Sequence, residues 1–142
     1  MQRIVVTAQF HGMAAQPSGK PPQTDPRATS VSVEASTSDG SPFGIEQASY
    51  LNHVTYTGDS TFAETGTISF GDADGELDIV TVGEGTLGPS ADADLLHGAV
   101  IYRITEGRGR FEDASGLITS NFLLRPGTGE FEERQLALVF LP

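Results

Sequence analysis

The stretch Thr61–Phe70 reads TFAETGTISF, and in it Phe62, Ile68 and Phe70 alternate with Thr65, Thr67 and Ser69. Successive side chains of a strand point to opposite faces, so Phe62, Glu64, Gly66, Ile68 and Phe70 share one face. A carboxyl placed among aromatic walls loses its water, which raises its pKa toward the range where it can donate or accept a proton. At a solvated rim the same carboxyl stays ordinary. Tyr102 lies on a second apolar stretch, Val100–Ile104, and its phenol combines an apolar wall with a hydrogen-bonding tip. Gln9, His53, Arg103 and Asn121 are further polar residues on stretches that otherwise read as core strands. If buried they must bond one another or a ligand, because an unpaired polar group is costly to bury. Otherwise they cap strand ends or face water.

Other chemistries find little footing. His11, His53 and His97 fall on separate strands, with neither a His-x-His pair nor a His-Glu-x-x-His helix to gather a metal, and no metal site is expected. Asp72, Asp74 and Asp78 lack the further ligands and closing glutamate of a helix–loop–helix calcium site and read as a solvated acidic turn. Gly12 and Gly19-Lys20 are separated by six residues rather than the four of a phosphate loop, and Pro21 stands where that loop needs a hydroxyl. Gly107-Arg108-Gly109-Arg110-Phe111 precedes no helix and reads as a hairpin turn. There is no Gly-x-Ser-x-Gly elbow, and the absence of cysteine excludes thiolate catalysis and disulfides.

The charge balance narrows the partners. Nineteen acidic residues against 8 basic ones give a formal net charge of -11, and Lys20 is the only lysine. Such a field repels phosphate backbones and anionic lipid surfaces, which argues against nucleic acid and membrane as partners. A small apolar organic molecule, or another protein chain, suits it better. The N-terminal residues lack the apolar core of a signal peptide and no run is long enough to cross a bilayer as a helix, so the expectation is a soluble, cytoplasmic chain.

The elements that must position these residues are strands. The 142 residues are of single-domain size, 17 glycines and 8 prolines punctuate them, and no segment has the spacing of a long amphipathic helix. Strands are expected over residues 3–10, 29–37, 45–57, 61–71, 77–87, 97–106, 116–125 and 130–141. The turn residues at 57–60, 71–75 and 125–129 join consecutive strands. An eight-stranded antiparallel up-and-down β-barrel follows, all-β, with closure removing the exposed edges. Residues 12–28, with four prolines, form a long connection and a candidate lid. Residues 88–96 could hold one helical turn capped by Ser90. Strands 97–106 and 130–141 are apolar on both faces, which points either to a covering loop or to a homo-oligomer, a dimer or trimer, packed on this wall.

The segment from Gly98 to Ile118 resembles the Gly-x-Gly-x-Phe-x-x-Ala-x-Gly signature of the allene oxide cyclase and dirigent protein superfamily, here Gly107, Gly109, Phe111, Ala114 and Gly116. Residues 67–72 are similar to the strand and turn that precede it, and Leu136–Leu141 to the closing strand, so the resemblance spans roughly residues 61–142. It implies an eight-stranded barrel, often trimeric, that holds an unsaturated or aromatic intermediate and steers its ring closure or coupling without a cofactor. Allene oxide cyclases use a glutamate and an asparagine on the first strand; the loosely matching positions here are Gln9 and His11. That departure argues against an allene oxide substrate and moves any acid–base role to Glu64, Tyr102 or His53. The expected function is a cofactor-independent cyclase or isomerase acting on an apolar unsaturated or polyketide-like intermediate of specialised metabolism. Its walls would be formed by Gln9, His11, Phe62, Ile68, Phe70 and Asn121. The alternatives are a non-catalytic dirigent-like binding barrel and a barrel filled by its own side chains.

Overall fold

In a computed structural model, described for residues 1–14, 23–71 and 74–142, the chain forms ten strand segments. They are β1 (Gln2–Met13), β2 (Gln23–Thr24), β3 (Arg27–Thr37), β4 (Ala48–Tyr56), β5 (Thr61–Phe70), β6 (Gly75–Thr81), β7 (Gly85–Pro89), β8 (Leu96–Gly109), β9 (Ser115–Leu124) and β10 (Glu130–Leu141). Every pairing is antiparallel. β2 and β3 share one place beside β4, the first opposite Val54–Thr55 and the second opposite Ser49–Leu51. Likewise β6 and β7 share the place between β5 and β8. Eight strand positions result, and because β1 pairs with both β3 and β10 the sheet closes on itself as an up-and-down barrel.

Several local features differ from the sequence expectation. The strand expected over 77–87 is broken: β6 ends at Thr81, Gly83 takes φ +67°, and β7 starts at Gly85. The turn expected at 107–111 lies further on, because β8 runs through Gly109 and the chain reverses over Arg110–Asp113, with Gly109 at φ +65° and Asp113 at φ +59°. Ser90 caps a turn rather than a helix. Its hydroxyl accepts from the Asp92 amide at 3.0 Å and donates to the Leu95 carbonyl at 2.8 Å. β4 begins at Ala48 rather than residue 45. Of the candidate lid, residues 15–22 lie outside the described residues, as do 72 and 73 of the acidic turn.

The two ends of the barrel are built differently. At the end where β1 starts and β5 and β8 finish, Phe70 and Phe111 pack with ring centroids 4.9 Å apart and Phe43 caps Phe111 at 5.9 Å. Arg110 lies over Phe43, 4.1 Å from the ring centroid, and donates to the Phe43 and Gly44 carbonyls, which fastens the 38–47 loop across that end. With Ile4, Leu77, Phe111 and Val139 fully buried there, this end is packed solid. Among the described residues the other end carries no such cap, and the lumen there leaves a pocket.

Alternation sets the faces of each strand. β5 turns Phe62, Glu64, Ile68 and Phe70 inward, and β8 turns Val100, Tyr102 and Ile104 inward. The opposite parity leaves Ile101, Leu117, Leu136 and Leu138 44–50% exposed on the outer wall. Leu138 pairs with Leu117, and Thr119 stands between Leu136 and Ile101, so the four form a contiguous apolar patch over β8, β9 and β10.

Candidate functional site

Three phenylalanines frame the open end, each lying over a glycine directly across the ladder. Phe62 faces Gly85, Phe122 faces Gly98 and Phe131 faces Gly12. A Cβ on those glycines would stand 2.3, 2.0 and 2.2 Å from the respective rings, so only glycine lets the rings lie flat against the wall. Flattened this way, the rings line a narrow pocket. Val54, Tyr56, Leu87 and Leu124 complete its apolar walls, with Thr24 and Pro26 beside them.

Deeper in the lumen are two buried carboxyls, each held by a tyrosine. Glu64 accepts from the Tyr102 phenol at 2.7 Å through Oε1 and from the Asn52 amide at 2.6 Å through Oε2. Glu133, on β10, accepts from the Tyr50 phenol at 2.5 Å through Oε1, and its Oε2 accepts from the Ser120 hydroxyl and, at 3.3 Å, from the Gln135 amide. Both carboxyls and both tyrosines line the same pocket. Asn52 fits because its cross-strand partner is Gly66, where a Cβ would fall 1.7 Å from the Asn52 Oδ1. That Oδ1 is buried and has no hydrogen-bond donor. The backbone of Glu64 is pinned where β6 breaks: its amide donates to the Thr81 hydroxyl at 2.7 Å, and that hydroxyl donates to its carbonyl at 3.0 Å.

Burial dominates the electrostatics. It pushes the Glu64 carboxyl up from 4.5 to about 7, against the opposing pull of the Tyr102 and Asn52 hydrogen bonds, and the nearby Glu133 adds to the rise. Burial also raises Glu133, offset in part by Ser120, Tyr50 and Gln135. Desolvation drives the Tyr50 and Tyr102 phenols well above their ordinary value, so both remain protonated donors; the next contribution is Glu133 for Tyr50 and Glu64 for Tyr102. The site therefore holds two acids, of which Glu64 changes protonation near neutrality, among donors that do not. Among the described residues no lysine, arginine or histidine lines it.

The structure distributes the residues singled out in the sequence over two faces. Glu64 and Tyr102 meet in the lumen with Phe62 beside them, while Ile68 and Phe70 point inward below the pocket, toward the packed end. Gln9, His11, His53 and Asn121 take the outward parity of β1, β4 and β9. Gln9 accepts from Arg134 at 3.1 Å, Asn121 bonds His97 at 2.7 Å, and His53 bonds Asp25 at 2.6 Å, all on the outer wall. They lie away from the Glu64 carboxyl because a one-residue step along a strand changes the face. Among the described residues no three histidine, aspartate or glutamate side chains gather as a metal-ligand set.

Sequence reasoning did not single out Glu133, Tyr50 or Asn52. Glu133 sits in the polar run Glu130–Gln135, which looks solvated, and the apolar residues that follow occupy both faces and so conceal the parity. The signal available was the register itself: Glu133 shares its face with Ala137, Val139 and Leu141.

No family model matches the chain, and no curated protein matches it. Among solved structures, the pterocarpan synthase dirigent protein GePTS1 superposes with a TM-score of 0.56 at 15% sequence identity, covering 99% of this chain and 87% of that one. At that identity the likeness speaks for architecture. The chain has the β-barrel fold of a dirigent protein, with two buried glutamate–tyrosine pairs in its open lumen.

Proposed function

We propose that the barrel is a cofactor-independent cyclase or isomerase that folds an apolar unsaturated or polyketide-like intermediate against its aromatic walls and moves a proton with Glu64. The observation that carries this reading is the Glu64–Tyr102 pair, buried yet on the wall of an open pocket, with the carboxyl titrating at about 7. A group poised near the working pH is effective as both general acid and general base. An isomerisation balances without a co-reactant: protonated Glu64 donates its proton to a carbonyl or epoxide oxygen as the ring closes, with the Tyr102 phenol hydrogen-bonded to the carboxylate that forms. The resulting carboxylate then takes a proton from the adjacent carbon or hydroxyl. Confinement between Phe62, Phe122 and Phe131 restricts a flexible chain to the reactive conformer, an effect that contributes several kcal/mol, on the order of 7 at best. The solved neighbour is named a pterocarpan synthase dirigent protein, which supports a synthase role for such a barrel.

A second reading is a dirigent-like module that holds an intermediate without transforming it. What favours it is that both oxygens of Glu64 and of Glu133 already accept from protein donors, as in a finished structural network. Native mass spectrometry on freshly purified protein separates the two. An isomerase carries product, and Glu64→Gln protein made in the same host carries an isomer of identical mass but different retention time. The same compound in both variants supports the binding module; no compound in either, together with no stabilisation by any small molecule, supports a barrel filled by its own side chains.

A further inference from the structure

The lumen is unbalanced in a way that specifies the charge of its ligand. Buried carboxyls are ordinarily matched by a cation. Here the partners of Glu64 and Glu133 are all neutral, namely Tyr102, Asn52, Tyr50, Ser120 and Gln135, and no basic side chain lines the pocket among the described residues. A second, independent feature points the same way. The walls add Phe62, Phe122, Phe131 and Tyr56, whose ring faces carry partial negative charge and attract ammonium groups. Acids and π-faces around one pocket both favour a ligand that is positively charged.

We infer that the lumen selects an amphiphilic organic cation, an aromatic or polyene body carrying a protonated amine, over neutral and anionic molecules of the same shape. The inference rests on the reading that the lumen takes a small organic molecule and narrows its substrate class to basic nitrogen compounds. Without a ligand a proton takes the neutralising role, since burial pushes Glu64 up to about 7. An ammonium ligand displaces that proton and is held by the carboxylate left behind, so that in such a complex Glu64 is the base and the bound ammonium the acid of the proposed proton transfer. A carboxylate ligand meets two acids and no counter-ion.

Isothermal titration with tryptamine, tryptophol and indole-3-acetate tests this, because the three share one ring system and differ in the charge of a short tail. At about pH 8 tryptamine binds at least ~10-fold more tightly than tryptophol, and indole-3-acetate does not bind. Below about pH 7 the tryptamine affinity falls by up to ~10-fold per pH unit, and its binding heat depends on the ionisation enthalpy of the buffer, the mark of proton release. The Glu64→Gln/Glu133→Gln double variant binds tryptamine and tryptophol equally; should that variant fail to fold, proton release by the wild-type protein carries the test. Equal binding of tryptophol and tryptamine to the wild-type protein, or comparable binding of indole-3-acetate, overturns the charge selection and leaves the binding reading intact. Binding of none of the three overturns both.

Discussion

Tyr102 on β8 donates its phenol proton to Glu64 on β5 at 2.7 Å, two strand positions away across β6, inside a lumen open at one end. The bond is one of two that hold the Glu64 pKa below where burial alone would put it. Tyr102→Phe therefore raises the Glu64 pKa further above about 7. The substitution costs roughly 1–2 kcal/mol of stability for the lost buried bond. A carboxyl titration of the variant followed by NMR, with urea denaturation alongside, measures both.

Glu64 also makes stability depend on pH in a sense opposite to that of a salt-bridged carboxylate. Its folded pKa of about 7 lies above the 4.5 of an unperturbed glutamate, so between those values the folded chain binds more protons than the unfolded one. Stability is then highest at and below about pH 4.5 as far as this group is concerned, falls as pH rises to about 7, and levels off beyond. The full step amounts to about 3 kcal/mol, with Glu133 contributing in the same direction. Denaturant midpoints across this range show the fall in the wild-type protein, and Glu64→Gln removes the part of it that Glu64 contributes.

The glycines beneath the mouth phenylalanines are as constrained as the rings themselves. Gly85→Ala places a methyl about where the Phe62 ring lies, at 2.3 Å, and forces that ring into the pocket. A loss of roughly 1–3 kcal/mol is expected from overpacking, together with weaker uptake of any lumen ligand. Phe62→Leu in the Gly85→Ala background restores stability, which thermal denaturation of the single and double variants reads directly.

The outer wall calls for a partner. Ile101, Leu117, Leu136 and Leu138 form a contiguous exposed apolar patch, which a second copy of the chain buries in the association we propose. Native mass spectrometry of the wild-type protein is expected to show a dimer or trimer, and Leu138→Arg a monomer with an unchanged strand signal in circular dichroism.

Much of the barrel was legible because strand parity and turn residues are local properties. That Phe62, Glu64, Ile68 and Phe70 share one face of β5 follows from TFAETGTISF alone. The Gly107, Gly109, Phe111, Ala114, Gly116 signature turns out to be an architectural device at the packed end. A Cβ at Gly107 would lie 1.8 Å from the Phe111 carbonyl oxygen, one at Gly116 2.0 Å from that of Leu138, and Phe111 is fully buried. Those residues thus speak for the fold and lie far from the carboxyls. The site was only half visible. Glu64 sits among alternating neighbours that expose its parity and Tyr102 stands out as a phenol on an apolar strand, whereas Glu133 lies in a charged run and Tyr50 and Asn52 lie where Leu51 offers a competing apolar face. Bringing Tyr50 of β4 to Glu133 of β10 across the lumen is a long-range event, and no local pattern encodes which of two faces closes inward.

The central claim is that the lumen holds a carboxyl that exchanges its proton near neutrality. Carbon-13 NMR of glutamate-labelled protein, with Glu64→Gln assigning the resonance, follows that one carboxyl through a pH titration. The account predicts a midpoint at about 7 for Glu64. A midpoint near the ordinary 4.5 would contradict it.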